Sequence, residues 1–298
     1  MRVLITGGCG FVGKQVAREA AARGHESTRV DLGPDADLVV DVLDVGAVTD
    51  SVALHDVVVH CAAVVGPVPA REDPHRAVEV NVYGTANIVE AARRHGKRII
   101  YLSTATLYGM RVVLKPLRES DTPIPVSHYD ATKFAAEVVC QSYRKDFDVD
   151  VVSVRTGFVY GPGHNTGEYF VESALRGEPV VQETGADQPC DFTYVKDLAR
   201  GLVLAAEKAH LPESIYNETG GLIRTRGEFA EAVRAAVPGA EISIGMGVNP
   251  SMHLRGPCVL ELAKRDLEYA PEYSVEAGVR DWVGEVGSRL DQKRKRGG

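Results

Sequence analysis

Tyr129 and Lys133 stand four residues apart in the segment HYDATKF, a spacing that puts both side chains on one face of a helix. A phenol beside an ammonium is a proton-transfer pair. The positive charge favours the phenolate and lowers a pKa that lies near 10 in isolation. Thr104 ends the upstream run YLST, at the head of a strand where open sheets place active-site groups. Together the three are candidates for acid–base chemistry at a substrate oxygen. The YxxxK spacing is common on solvated helix surfaces, so its meaning depends on its surroundings.

Those surroundings include TGGCGFVG at residues 6–13. Gly8, Gly10 and Gly13 satisfy GxGxxG, and Gly7, Gly10 and Gly13 satisfy GxxGxxG. Between a strand and a helix, such glycines allow a sharp turn, close approach of the backbone to a pyrophosphate, and tight helix–strand packing. The helix N-terminus then offers N–H groups to the phosphates. Asp31 ends the second strand, where a carboxylate accepts from both ribose hydroxyls and repels a 2′-phosphate, which favours NAD over NADP. Asp41 ends the third strand within reach of an adenine amino group. Arg29 weighs the other way, as an arginine able to take a 2′-phosphate.

With HCAA at 60–63, NVYGT at 81–85, STATLYG at 103–109 and VYGPG at 159–163, the chain resembles the extended short-chain dehydrogenase/reductases of the NAD-dependent epimerase/dehydratase group over nearly its whole length. The resemblance implies an NAD enzyme with Thr104, Tyr129 and Lys133 catalytic. It places Gly7, Gly10, Phe11, Val12, Gly13, Asp31, Asp41, Val42, Ala62, Ala63, Asn81 and Lys133 at the cofactor, with Asn81 also bracing sheet and helix. Dehydratases of the group carry an Asp-Glu pair after the threonine; here Ala105 and Thr106 follow, as in the Ser-Ala-Thr of sugar 4-epimerases. Thr104, Thr106, Phe158, His164, Cys190 and Arg255 are the substrate candidates, and Glu168 and Arg176 stand beside them as loop or surface residues. Phe158 and Cys190 occupy positions where nucleotide-sugar members place an Asn and an Arg, so a smaller or less charged substrate is expected.

The expected reaction is NAD-dependent oxidation of a secondary alcohol on a sugar or sugar-like substrate, leading through a transient ketone to the epimer. The alternatives are a net dehydrogenase or ketoreductase on a natural-product alcohol, and a non-catalytic NAD sensor, which would have no need of the Thr104, Tyr129, Lys133 set.

These residues need a frame. Apolar strands at 2–6, 28–31, 38–41, 57–61, 98–103 and 151–156 alternate with helical patterns at 11–23, 75–95 and 129–147, the first stopped by Gly24. That order predicts an α/β fold, a Rossmann-type doubly wound parallel sheet. After Tyr160 a smaller C-terminal substrate lobe is expected, with segments such as 197–208 returning to the main sheet. The divisions are 1–160 for the cofactor and catalytic residues, 161–290 for the lobe and 291–298 for a solvated basic tail. A net charge of -7 argues against nucleic acid or an anionic membrane as partner. No apolar run nears the roughly 20 residues of a membrane helix, and the opening MRVLITGG reads as no signal peptide. Five widely spaced cysteines without a CxxC pair suggest reduced thiols, no metal and a cytoplasmic setting. The helical faces at 80–92 and 134–142 are candidates for pairing two subunits.

Overall fold

The computed structural model describes residues 1–110, 114–163, 165–249 and 254–296, without the side chains of 165–169 and 289–296. The chain opens with β1 (Arg2–Thr6), α1 (Phe11–Ala22), β2 (Glu26–Asp31), β3 (Leu38–Val39), α2 (Val45–Ala53) and β4 (Val57–His60). Next come α3 (Pro67–Glu72), α4 (Pro74–Val78) and α5 (Thr85–His95), the last two joined through a wide helical turn over Glu79–Gly84. β5 (Arg98–Thr104), α6 (His128–Phe147), β6 (Val151–Thr156), β7 (Phe158–Tyr160), α7 (Asn165–Arg176), β8 (Val180–Gln182) and β9 (Pro189–Tyr194) follow. The chain finishes with α8 (Val195–Glu207), β10 (Ile215–Glu218), β11 (Ile223–Thr225), α9 (Arg226–Ala236), β12 (Ile242–Ile244), α10 (Glu261–Leu267) and α11 (Val275–Arg296).

Seven strands form one sheet in the order β10-β6-β5-β4-β1-β2-β3, all neighbours parallel. Parallel strands joined by helices bury both faces, and the strand residues alternate accordingly. Val3, Ile5, Val57 and Val59 face one core together with Val16 of α1 and Leu198 and Leu202 of α8. Leu4 and Val58 face the other, with Val52 of α2, Ile88 of α5 and Ala136 of α6. The chain winds outward in both directions from β1 and β4, which opens a crevice at their C-terminal ends.

A second core lies beyond β6. Tyr160, Phe170, Phe192, Tyr194, Phe229 and Trp282 gather there, with Phe192 stacked on Phe229 at 4.9 Å between ring centroids. α8 and β10 leave this part of the chain to rejoin the main sheet, β10 pairing with β6 from Ile215 beside Ser153 to Glu218 beside Thr156. The basic end, expected as a solvated tail, is helical as far as Arg296, because Gln, Lys and Arg all extend a helix well.

Candidate active site

The glycine turn between β1 and α1 is sterically closed. Gly7 has φ +65°, and a Cβ there would come within 2.8 Å of the Ala62 backbone nitrogen. A Cβ on Gly13 would meet the Gly7 carbonyl oxygen at 2.2 Å, so α1 packs on the turn only with glycine. Gly10 differs. Among the described residues a Cβ there would meet just the Gly7 oxygen, at 3.1 Å, and Gly10 caps α1 through its backbone. Backbone thus faces the cleft at a helix N-terminus, the arrangement that takes a pyrophosphate. The residues therefore fit a dinucleotide.

At the tip of β2, Asp31 lines the cleft and also pins the turn. Its Oδ2 accepts from Cys9 N at 2.9 Å and its Oδ1 from Leu32 N at 2.8 Å. Arg29 is engaged by Asp37, with Nη2 2.8 Å from Oδ1 and Nε 3.1 Å from Oδ2, so a 2′-phosphate would compete with that carboxylate for it. Asp41 accepts from Arg76 Nη2 at 3.1 Å and from Leu43 N at 3.0 Å, and both Asp41 and Arg76 line the same cleft.

The catalytic end depends on α6. Ser127 caps this helix by accepting from Asp130 N at 3.1 Å, while Asp130 Oδ2 accepts in return from Ser127 N at 3.1 Å. Such a box fixes the first turn, and Tyr129 sits in it. One turn on, Lys133 Nζ donates to the Leu102 carbonyl at 2.7 Å and lies 4.2 Å from the centre of the Tyr101 ring. Thr104 Oγ1 and Thr106 Oγ1 are 3.0 Å apart. Burial lowers Lys133 to about 8. For Tyr129 the expected lowering is reversed: burial raises the phenol above its usual range and Asp130 adds to the effect. His60 of the HCAA segment is a buried brace, its Nδ1 2.5 Å from Thr6 Oγ1 and its Nε2 3.0 Å from Thr85 Oγ1. Burial, aided by Lys133, lowers it to about 3, so it is neutral.

One cleft of about 850 Å³ joins the two ends. Of the expected residues it is lined by Gly7, Gly10, Phe11, Val12, Gly13, Asp31, Asp41, Val42, Ala62, Ala63, Thr104, Thr106, Tyr129, Lys133 and Phe158. Asn81 is outside the lining. Its amide braces the loop after β4, accepting from Val64 N at 2.7 Å and donating to Thr132 Oγ1 at 2.9 Å. Cys190 is outside it too, buried in the second core, where burial pushes its thiol up to about 11. Arg255 does not line the cleft either; it is desolvated within electrostatic reach of Asp130, Cys190 and Asp191. Arg176 pairs with Glu178 at 2.9 Å on the surface. His164 and the Glu168 side chain lie outside the described residues.

Sequence reasoning missed the wall formed by Val64, Val65, Arg76, Thr156 and Gly157. Val64 and Val65 directly follow the HCAA strand end, and Thr156 and Gly157 directly precede FVYGPG, so position relative to those motifs was the available signal.

Residues 3–217 match the NAD dependent epimerase/dehydratase family. The chain is 31% identical, over 70% of its length and 71% of the relative's, to a UDP-N-acetyl-alpha-D-glucosaminuronate decarboxylase of Bacillus cytotoxicus. It is similar in structure to the UDP-glucose 4-epimerase of Thermotoga maritima solved with UDP-glucose, at TM-score 0.87 and 23% identity over 97% of this chain and 100% of that one. It is also similar to the UDP-glucose 4-epimerase of Thermus thermophilus solved with NAD, at TM-score 0.83 and 29% identity over 95% and 98%.

Proposed function

This chain belongs to the NAD dependent epimerase/dehydratase family, and from that premise we propose that it is a sugar epimerase acting through a transient keto sugar. Its substrate is a secondary alcohol on a sugar or sugar-like molecule, nucleotide-linked forms included. The carrying observation is the single cleft that brings the glycine turn and Asp31 into continuity with Thr104, Tyr129 and Lys133. NAD, when bound, supplies the hydride acceptor and a positive ring charge that favours the Tyr129 phenolate. Tyr129 takes the proton of the substrate hydroxyl, Thr104 hydrogen-bonds the same oxygen, and Lys133 holds positive charge beside them while binding cofactor ribose. Tyr129 would give the proton back to the ketone oxygen, and hydride supplied by bound NAD to the opposite face of the keto sugar would complete the epimer.

The residues after Thr104 support this over elimination of water, which needs an added acid and base. Ala105 is buried and apolar, and the Thr106 hydroxyl is engaged with Thr104. The nucleotide-sugar names of the similar proteins support a nucleotide-linked substrate. We assign residues 1–160 to cofactor and chemistry and 161–290 to the substrate. The exposed Tyr83 and Val138, one in each of the segments 80–92 and 134–142, support pairing of two copies, and five free cysteines support a reducing cytoplasmic setting. Among the described residues, no helix is long and apolar enough to cross a membrane.

The test is incubation of the purified chain and NAD with a panel of UDP-hexoses, separating stereoisomers by chromatography while following NADH absorbance. Interconversion without net NADH is expected; steady NADH accumulation would instead favour the dehydrogenase reading. Tyr129→Phe should lose about a hundredfold or more in turnover and still bind NAD. Near-normal turnover in that variant would sink the assignment of the base.

A further inference from the structure

Glu137 lies four residues beyond Lys133 and eight beyond Tyr129 on α6, so the three run along one side of the helix. It is fully buried. Its Oε1 accepts from Arg155 Nη2 at 2.5 Å, and its Oε2 accepts from Arg155 Nε at 3.1 Å and from Ser103 Oγ at 2.7 Å. A helix and two strands, α6, β5 and β6, therefore meet at one carboxylate. Each strand partner directly precedes a residue of the cleft wall: Ser103 precedes Thr104, and Arg155 precedes Thr156. Arg155 is itself fixed, donating from Nη1 to the Glu119 carbonyl at 3.3 Å and lying 4.9 Å from the Tyr108 ring centre.

Stability alone does not call for such a pair. Well-packed apolar residues often serve a core as well as a buried ion pair does, whereas a fully hydrogen-bonded pair fixes geometry. We propose that Glu137 is a positioning residue for the alcohol chemistry, setting Tyr129 and Lys133 on α6 against Thr104 on β5; this rests on the function proposed above. Lys133 is faced by His60 and Cys61 at the end of β4, Tyr101 of β5, and Glu137 and Cys140 of α6. Burial lowers Lys133 to about 8, opposed by Cys61, Cys140 and Glu137 in that order; burial raises both thiols and His60 is neutral, so Glu137 is the carboxylate among these neighbours.

The test is Glu137→Gln, read as NAD affinity by calorimetry from pH 6 to 9.5, with fold checked by near-ultraviolet circular dichroism. Wild-type affinity should fall through an alkaline limb as Lys133 loses its proton. In the variant the limb should move to lower pH by about half a unit or more, with affinity at pH 6.5 kept within about threefold, and Glu137→Asp should restore the limb. A purely structural role would weaken binding equally at every pH. A folded Glu137→Gln with an unmoved limb, or a pH-independent wild type, would overturn the positioning role alone. If the single variant does not fold because Arg155 is left unpaired, E137Q/R155M removes two opposing charges at once and is read as kcat against NAD affinity at pH 6.5: kcat should fall more than affinity does, and a wild-type kcat would overturn the positioning role. A wild type that binds no NAD at any pH would overturn the proposed function and this inference with it.

Discussion

The Asp31 carboxylate holds Cys9 N and Leu32 N while lining the cleft, so truncating it removes a pin of the glycine turn as well as a barrier to 2′-phosphate. Asp31→Ala should therefore lower NAD affinity by about ten- to a hundredfold, the worth of charge-assisted hydrogen bonds, and lower NADP affinity less. Calorimetric titration of both dinucleotides checks this; an unchanged ratio would rule it out. Cys190 carries the opposite lesson. Read as a sequence, it invites replacement by an Arg to bind phosphate. In the structure it is buried with Arg226 and Arg255 in electrostatic reach, so Cys190→Arg would crowd a third guanidinium into a packed core. It should cost about 3 kcal/mol or more of stability, seen as a lower urea midpoint, and should not tighten UDP binding. A variant as stable as wild type with stronger UDP binding would refute this. That Gly10, Asp31, Thr104, Tyr129 and Lys133 line one cleft was legible because local spacing marks each of them. The bracing role of Asn81 was readable too, whereas the Ser103–Glu137–Arg155 network and the Asp191 bond to Cys258 N, 67 residues away, involve partners that no local pattern joins.

The strands β1 and β6 and the helix α6 matched the reading almost residue for residue, because their apolar periods and caps agree. α2 went unread: VGAVTDSVA mixes glycine with β-branched residues, which blurs a helical period, although Asp44 caps it by accepting from Ala47 N at 3.0 Å. β10 was likewise invisible, since four residues of edge strand gain their identity only from β6 alongside. The cap of α6 gives a prediction at this scale. Ser127→Ala removes the acceptor for Asp130 N and should cost about 1 kcal/mol of stability. Because Tyr129 lies in that same turn, turnover should fall more than NAD affinity does. Urea titration and steady-state kinetics test both, and an unaltered urea midpoint would contradict the capping account.

At the scale of the whole molecule, Glu218 stands out as an acid enclosed at the end of β10, with both carboxyl oxygens lacking a hydrogen-bond partner among the described residues. Burial raises it from 4.5 to about 8, with Arg200 opposing. The unfolded chain ionises at lower pH than the folded one, so stability falls as pH rises from about 4.5 to about 8, and the loss is complete above that. Its full size is on the order of 4–5 kcal/mol. Glu218→Gln should flatten the profile and be more stable than wild type at pH 8; parallel urea midpoints for the two proteins at pH 5.5 and 8 would exclude it. The place of that strand has a further consequence. β6 presents an open edge until β10 arrives, with Ser153 and Ile215 about sixty positions apart in the chain. On a ribosome the sheet therefore stays unfinished while the whole segment between them is made, and α8 must also come back to cover Val3, Ile5, Val57 and Val59. The part that would hold the dinucleotide is thus completed by chain synthesised after the second core has begun, and the two halves share one folding fate while dividing the chemistry between them.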